Sequence, residues 1–160
     1  MNVSLDSPLR DDVQLLLDEH LAEMRATSPP ESVHALEAAA LAVPEVRFVT
    51  ARDDDGTLLG CGALREIEAG PGGHGELKSM RTARAARGRG VASAVLDRIL
   101  DLALERGYAR VSLETGAEPF FVPARTLYAR RGFVECGPFA HYRPDPNSVF
   151  MTLTLAAAPL

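Results

Sequence analysis

The sequence predicts one mixed α/β domain, a sheet with helices set between its strands. Three observations carry that expectation. Segments with an apolar residue at every second position alternate with segments whose apolar residues recur every three or four. One strand-like segment, Glu76 to Thr82, leads through a short basic loop and two glycines into a long amphipathic helix. The chain of 160 residues, 46% hydrophobic and 24% charged, has the length and composition of a single globular domain with a real core. Repeats, low-complexity blocks and interdomain linkers are missing, so one domain over 1–160 is expected, with its core at about 2–155.

Val3 and Leu5 alternate with polar neighbours and predict a short first strand. Ser7-Pro8 supplies an N-cap and a first-turn proline for a helix bearing Val13, Leu16, Leu17, Leu21 and Met24 on one side. Asp11, Asp12, Asp18 and Glu19 lie on its opposite face, with His20 and Glu23 near the seam. Ser28-Pro29-Pro30-Glu31 resembles a capping box, starting a second helix through Val33, Leu36 and Ala40 that ends at Pro44.

Val46, Phe48 and Thr50 alternate as a strand, and Asp53-Asp54-Asp55-Gly56 is a turn. Its three aspartates lack the further ligands of a calcium loop. Leu58 to Leu64 is the next strand, with small residues that admit a close neighbour. The glycine-rich run Ala69 to Gly75 predicts a mobile loop with a solvated His74. After the central strand, Val91, Val95, Ile99, Leu102 and Ala103 mark one helix face, and Gly107 is a suitable stop. Tyr108 to Glu114 is a strand, and Phe121 to Arg130 a helix with Pro123 in its first turn. Phe133-Val134 begins another strand, Val149 to Leu155 closes the sheet, and Ala156 to Leu160 is expected to fray.

Composition narrows the function classes. With 17 basic and 22 acidic residues, the formal charge is −5, which disfavours a nucleic-acid partner. Arg84, Arg87 and Arg89 remain available to one anionic ligand. Cys61 and Cys136 lack a CxxC or metal spacing and read as buried free thiols, and no metal is expected. The first residues carry no basic region or apolar run, and no apolar stretch is long enough to span a membrane, so a cytoplasmic protein without a membrane partner is expected.

The loop Arg84 to Ala92 carries the chemistry. A helix that opens after glycines presents free backbone N–H groups, and its dipole favours an anion there. The physical reading is a pyrophosphate cradle. The spacing is not that of a nucleotide-triphosphatase loop, and Arg87-Gly88-Arg89-Gly90 lacks the third glycine and later acid of a dinucleotide fingerprint. Arg87, Gly90 and Ala92 instead meet the Gln/Arg-x-x-Gly-x-Gly/Ala signature of the GNAT family of N-acetyltransferases. Leu127-Tyr128-Ala129-Arg130-Arg131-Gly132-Phe133 resembles the family's Leu-Tyr-x-x-x-Gly-Phe box, in the same order and at roughly the same spacing. The resemblance covers about residues 2–155. Gly75 to Thr82, Leu113 to Gly116 and Asp145 to Met151 look like a YsnE-like bacterial subgroup. One departure is Phe121, which stands where many members have an asparagine that supports cofactor binding.

The resemblance implies the GNAT acyl-CoA N-acyltransferase fold, a central mixed sheet flanked by about four helices. It also implies acetyl-CoA as co-substrate and transfer of the acetyl group to the amine of a small-molecule acceptor. Backbone N–H groups from Gly88 through Arg89, Gly90 and Val91 to Ala92 would hold the pyrophosphate, with Arg87 beside them. The central strand would pair with the pantetheine arm around Met80 and Thr82, the Met80 N–H stabilising a developing oxyanion.

Tyr128 is the candidate general acid, since a phenol is protonated at neutral pH; alternatively it only packs. Glu76 and Glu114 are candidate bases, each alternatively a plain sheet-end carboxylate. Arg81 suits an acidic acceptor, or a salt bridge with Glu76 or Glu114. His20 and Glu23 are further acceptor-side candidates, and His20 and His34 could also serve as the base, or else are structural or exposed. His141 and Tyr142 line an acceptor pocket or a surface loop. A covalent acetyl-cysteine route has no support from a neighbouring base. Alternative readings are a non-catalytic acyl-CoA sensor and a protein-lysine or N-terminal acetyltransferase. The sequence leaves a homodimer open.

Overall fold

A computed structural model describes residues 1–155, so the frayed end expected from Ala156 lies outside the described residues. Seven strands form one sheet: β1 (Asn2–Leu5), β2 (Val46–Arg52), β3 (Leu58–Glu68), β4 (His74–Thr82), β5 (Arg110–Gly116), β6 (Val134–Cys136) and β7 (Ser148–Thr154). Their order is β1-β2-β3-β4-β5-β7-β6, and every pair is antiparallel except β4 with β5. Four helices cover it: α1 (Asp11–Thr27), α2 (Ala38–Leu41), α3 (Val91–Glu105) and α4 (Val122–Arg130).

The sheet separates two cores. On one side, Val13, Leu16 and Leu17 of α1 and Leu41 of α2 pack on Phe48, Cys61 and Ala63. On the other, Val91, Val95, Leu96, Ile99 and Leu102 of α3 meet Val49, Leu64, Leu77, Val111 and Leu113. Burial on both faces explains why Leu58 to Leu64 of β3 reads as a near-continuous run of apolar and small residues. The small residues of β3 have a packing reason. A Cβ on Gly62 would lie 2.6 Å from Met80 Sδ and 2.8 Å from Ile99 Cδ1, so glycine lets α3 settle on the strand.

Three expectations need correction. Helix α1 begins at Asp11, not at Ser7-Pro8; Ser7 Oγ instead accepts the Leu9 N–H at 3.1 Å in a preceding turn. Acidic Asp11 and Asp12 then face the positive end of the helix dipole. The predicted second helix is a single 3₁₀ turn at Pro30–Ser32 and the four-residue α2, with 33–37 irregular between them. His74 is not solvated: β4 starts there, the ring is buried, and Nε2 lies 2.6 Å from Ser112 Oγ. Parallel pairing of His74 with Arg110 carries the strand into the glycine-rich run.

Candidate active site

Strands β4 and β5 pair only from His74–Arg110 to Leu77–Leu113, although β4 continues to Thr82 and β5 to Gly116. Beyond Leu77 they part, leaving the β5-facing backbone edge of β4 without a strand partner. A bulge accompanies the parting. Ala63 opposes Lys78 and Cys61 opposes Arg81, so two β4 residues share one place, and Ser79 sits at φ 56°. A left-handed serine is strained backbone, held here by β3 pairing on either side of the bulge.

The parting opens a cleft of about 560 Å³. Its mouth is the start of α3. Gly88 and Gly90 lie at φ 77° and 76°, a left-handed conformation open to glycine at little cost. The first helical bond runs from the Ala94 N–H to the Gly90 carbonyl at 3.1 Å, so the N–H groups of Val91, Ala92 and Ser93 have no partner within the helix. Gly88, Gly90, Val91, Ala92 and Arg87 all line the cleft. Arg89 does not; its guanidinium lies 3.4 Å from Asp53. Met80 and Thr82 of β4 line the same space.

Glu114 and Tyr128 also face the cleft. Burial pushes the Glu114 carboxyl up to about 7, although Ser148 Oγ donates to Oε2 at 2.6 Å and Lys78 opposes the shift. A carboxyl with that poise exchanges protons near neutral pH. Tyr128 is 6% exposed, packs at 5.8 Å on Phe133, and is held protonated well above the ordinary phenol range by burial.

Glu76 occupies a different position. It is 2% exposed, does not line the cleft, accepts a hydrogen bond from the Tyr142 hydroxyl, and lies 3.3 Å from Lys78 Nζ. Sequence position makes Glu76 and Glu114 alike, as carboxylates on neighbouring strands, and only tertiary contacts separate them. Ser148, unremarkable as a nucleophile, is the neighbour that tunes Glu114. Losing its hydrogen bond in Ser148→Ala should raise the carboxyl further and move the alkaline rise of the pH–rate profile upward, which a kcat/KM series across pH 6–9 reads directly.

Arg81 and His20 line the α1 wall of the cleft. Arg81 pairs with neither Glu76 nor Glu114; its Nη1 donates to Glu23, which also lies 3.3 Å from Arg84. The Arg81 hydrogen bond holds the Glu23 carboxyl down at about 2. Burial, then the nearby Arg81 charge, depresses His20 to about 4 and keeps it neutral at pH 7. His34 also lines the cleft, edge-on to Tyr142 at 5.0 Å, a position its helix pattern did not signal. His141 is exposed and stacks on Tyr142 at 5.3 Å.

Phe121 forms part of the wall, and its ring approaches to 2.1 Å of where a Cβ on Gly116 would stand, so glycine at the end of β5 makes room for it. Among the described residues no group of three or more His, Cys, Asp or Glu side chains is arranged to hold a metal. No helix among them is long and apolar enough to cross a membrane.

Residues 13–133 match the acetyltransferase (GNAT) family. The chain belongs to that family. This GNAT acetyltransferase is 48% identical, over 97% of its own length and 100% of the relative, to a Bacillus subtilis (strain 168) protein described as the uncharacterized N-acetyltransferase YsnE. It is 39% identical to the IAA acetyltransferase of Azospirillum brasilense, over 94% of this chain and 95% of that one. An aminoglycoside 6′-N-acetyltransferase crystallised with coenzyme A shares the fold, with a TM-score of 0.71 and 16% identity over 99% of both chains. The GNAT chain is accordingly an acyltransferase of the N-acetyltransferase class, built on a mixed seven-stranded sheet with four helices.

Proposed function

We propose that this acetyltransferase transfers an acetyl group directly from acetyl-CoA to the amine of a small-molecule acceptor. The observation that carries the reading is one cleft in which an unpaired strand edge, a glycine-opened helix start, a carboxyl poised near neutrality and a buried phenol converge. The residues present fit the donor. Gly88 to Ala92 and Arg87 suit a pyrophosphate, and the free edge of β4 around Met80 and Thr82 suits the amides of a pantetheine arm. Acetyl-CoA would supply an activated acyl group on a good leaving thiolate.

The chain's own residues supply the proton transfers. An alkyl ammonium is not a nucleophile, so Glu114 removes its proton, directly or through one water. Its raised poise suits that step at neutral pH, where the acid and base forms both have standing populations. Tyr128, kept protonated by burial, donates to the departing sulfur. The β4 edge offers backbone N–H groups to the oxygen on which charge develops, in a cleft where such dipoles are little screened. Direct transfer is favoured over an acyl-cysteine route because the Cys61 thiol is fully buried, pushed up to about 12, and donates to the Ser79 carbonyl at 3.4 Å.

Thiol release from acetyl-CoA against a panel of primary amines tests the reading. At least one amine should release thiol well above the hydrolytic background. Tyr128→Phe should then lower kcat by roughly ten- to a hundredfold with acetyl-CoA affinity largely kept. An unchanged kcat in that variant would reduce Tyr128 to a packing residue.

A further inference from the structure

Among the described residues, four buried side-chain polar atoms have no hydrogen-bond partner: His20 Nδ1, Ser79 Oγ, Arg81 Nε and Glu118 Oε2. Buried polar atoms are nearly always bonded, and leaving one unmet is costly. The first three belong to residues that line the active-site cleft. Ser79 is 8% exposed and Arg81 9%, so neither unmet group is reached freely by bulk solvent.

All three atoms can donate. Arg81 Nε carries a hydrogen, the Ser79 hydroxyl rotates, and neutral His20 can carry its proton on Nδ1. The Arg81 guanidinium is held by Glu23 through Nη1, which fixes its plane while leaving the Nε–H unused. Glu23 is three residues from His20 on α1, and Ser79 is two residues from Arg81 on β4. The donors thus sit where α1 meets the bulged strand. This wall is separate from the α3 face, toward which Met80 points its sulfur, and from the anion cradle at Gly88–Ala92.

The charge of the cleft agrees. Lys78, Arg81 and Arg87 line it with Glu114 as the one lining carboxylate among the described residues, Lys78 being paired with Glu76 and Arg81 with Glu23. A polyamine or aminoglycoside would bring several positive charges to a wall whose nearby carboxylates Glu23 and Glu76 are already paired with Arg81 and Lys78, leaving Glu114, which serves as the base. An acceptor with one amine and one carboxylate would instead pair its anion with the unmet donors. Met24, Val33 and Ala35, which also line the cleft, are apolar or small and suit a modest hydrophobic body.

We infer that the acceptor is an amino-carboxylate, a small molecule bearing one amine and one carboxylate, whose carboxylate is received by Arg81 Nε with Ser79 Oγ and His20 Nδ1. This rests on the acetyl-transfer reading above and narrows it. Arg81 is a specificity-determining residue here, not a participant in the proton transfers.

Matched acceptors test it. With acetyl-CoA saturating, thiol release is compared for phenylalanine, 2-phenylethylamine and phenylalaninamide, for methionine and 3-(methylthio)propylamine, and for spermidine and kanamycin. Within each matched set the carboxylate should raise kcat/KM by about ten- to a hundredfold, the usual scale of a charge-assisted hydrogen bond. Spermidine and kanamycin should be the poorest acceptors. Arg81→Gln should collapse the carboxylate preference toward unity while the thermal shift produced by acetyl-CoA persists. His20→Asn and Ser79→Ala should each reduce it in part, and they serve if Arg81→Gln does not fold.

Equal or better rates with the decarboxylated amines or the polycations would overturn the inference and leave acetyl transfer standing. So would an Arg81→Gln variant that loses acetyl-CoA binding while its acceptor KM is unchanged, since the donors would then belong to the co-substrate. No thiol release with any amine, together with no thermal shift by acetyl-CoA, would remove the acetyl-transfer reading itself.

Discussion

Gly90→Glu should abolish measurable acetyl-CoA binding while leaving a folded protein. Gly90 precedes α3 at φ 76°, and nothing lies within 4 Å of the place a Cβ would take. The substitution therefore causes no clash. Its cost to the fold is the left-handed backbone of a non-glycine residue, about 1–2 kcal/mol, which a domain of this size tolerates. Its cost to binding is larger. A carboxylate would stand at the helix start, beside the unbonded N–H groups of Val91, Ala92 and Ser93, and would both satisfy them internally and repel a pyrophosphate. Affinity should fall by at least about a hundredfold, the combined loss of an anion site and gain of a like charge. Calorimetric titration of the variant and the parent, with melting temperatures beside them, separates the two costs. Unchanged affinity in the variant would mean that the α3 start is not the anion site.

Glu114→Gln should lower kcat/KM by about a hundred- to a thousandfold at pH 7.5, keeping acetyl-CoA affinity within a few fold. Glutamine preserves the shape and can still accept the Ser148 hydrogen bond, so the loss isolates proton transfer. The pH profile supplies the sharper signature. Burial raises the Glu114 carboxyl from about 4.5 to about 7, so below that value it is protonated and cannot act as base. Activity should climb with pH to a plateau above about 7, and the climb should be missing in Glu114→Gln. The same shift has the opposite sign for stability. The folded state binds the proton more tightly than the unfolded chain, so this group's contribution declines as pH rises from about 4.5 to about 7 and is wholly unfavourable above it. Activity and stability should thus move in opposite directions across that window.

The comparison of Glu114 with Glu76 shows where sequence reading ends. Both carboxylates are legible in the sequence as strand residues, but their settings depend on Tyr142, Lys78 and Ser148, which lie 2 to 66 residues away in the chain. The glycine loop before α3 is legible because its signal is local: two glycines, then a helical period from Val91. The bulge was not, because Ser79 holds a left-handed φ without the glycine or asparagine that advertises one. The predicted second helix does not form for a related reason. Val33 and Leu36 have helical spacing, yet Val33, His34 and Ala35 are drawn out along the cleft wall, and Leu36 packs on the α1 core without a helix. Composition marks His74 as a loop residue, whereas pairing with β5 and contact with Ser112 make it a buried strand residue.

Acetyl-CoA binding tests the central claim most directly. A thermal-shift titration with acetyl-CoA, CoA, ATP and NAD asks whether the cleft between β4 and β5 is an acyl-CoA site. A ligand present at a hundred times its dissociation constant should add about 2.7 kcal/mol, several degrees for a domain of this length. Stabilisation by acetyl-CoA and CoA, with none by ATP or NAD, is the predicted result. No shift at millimolar acetyl-CoA, or an equal shift with all four ligands, would contradict it.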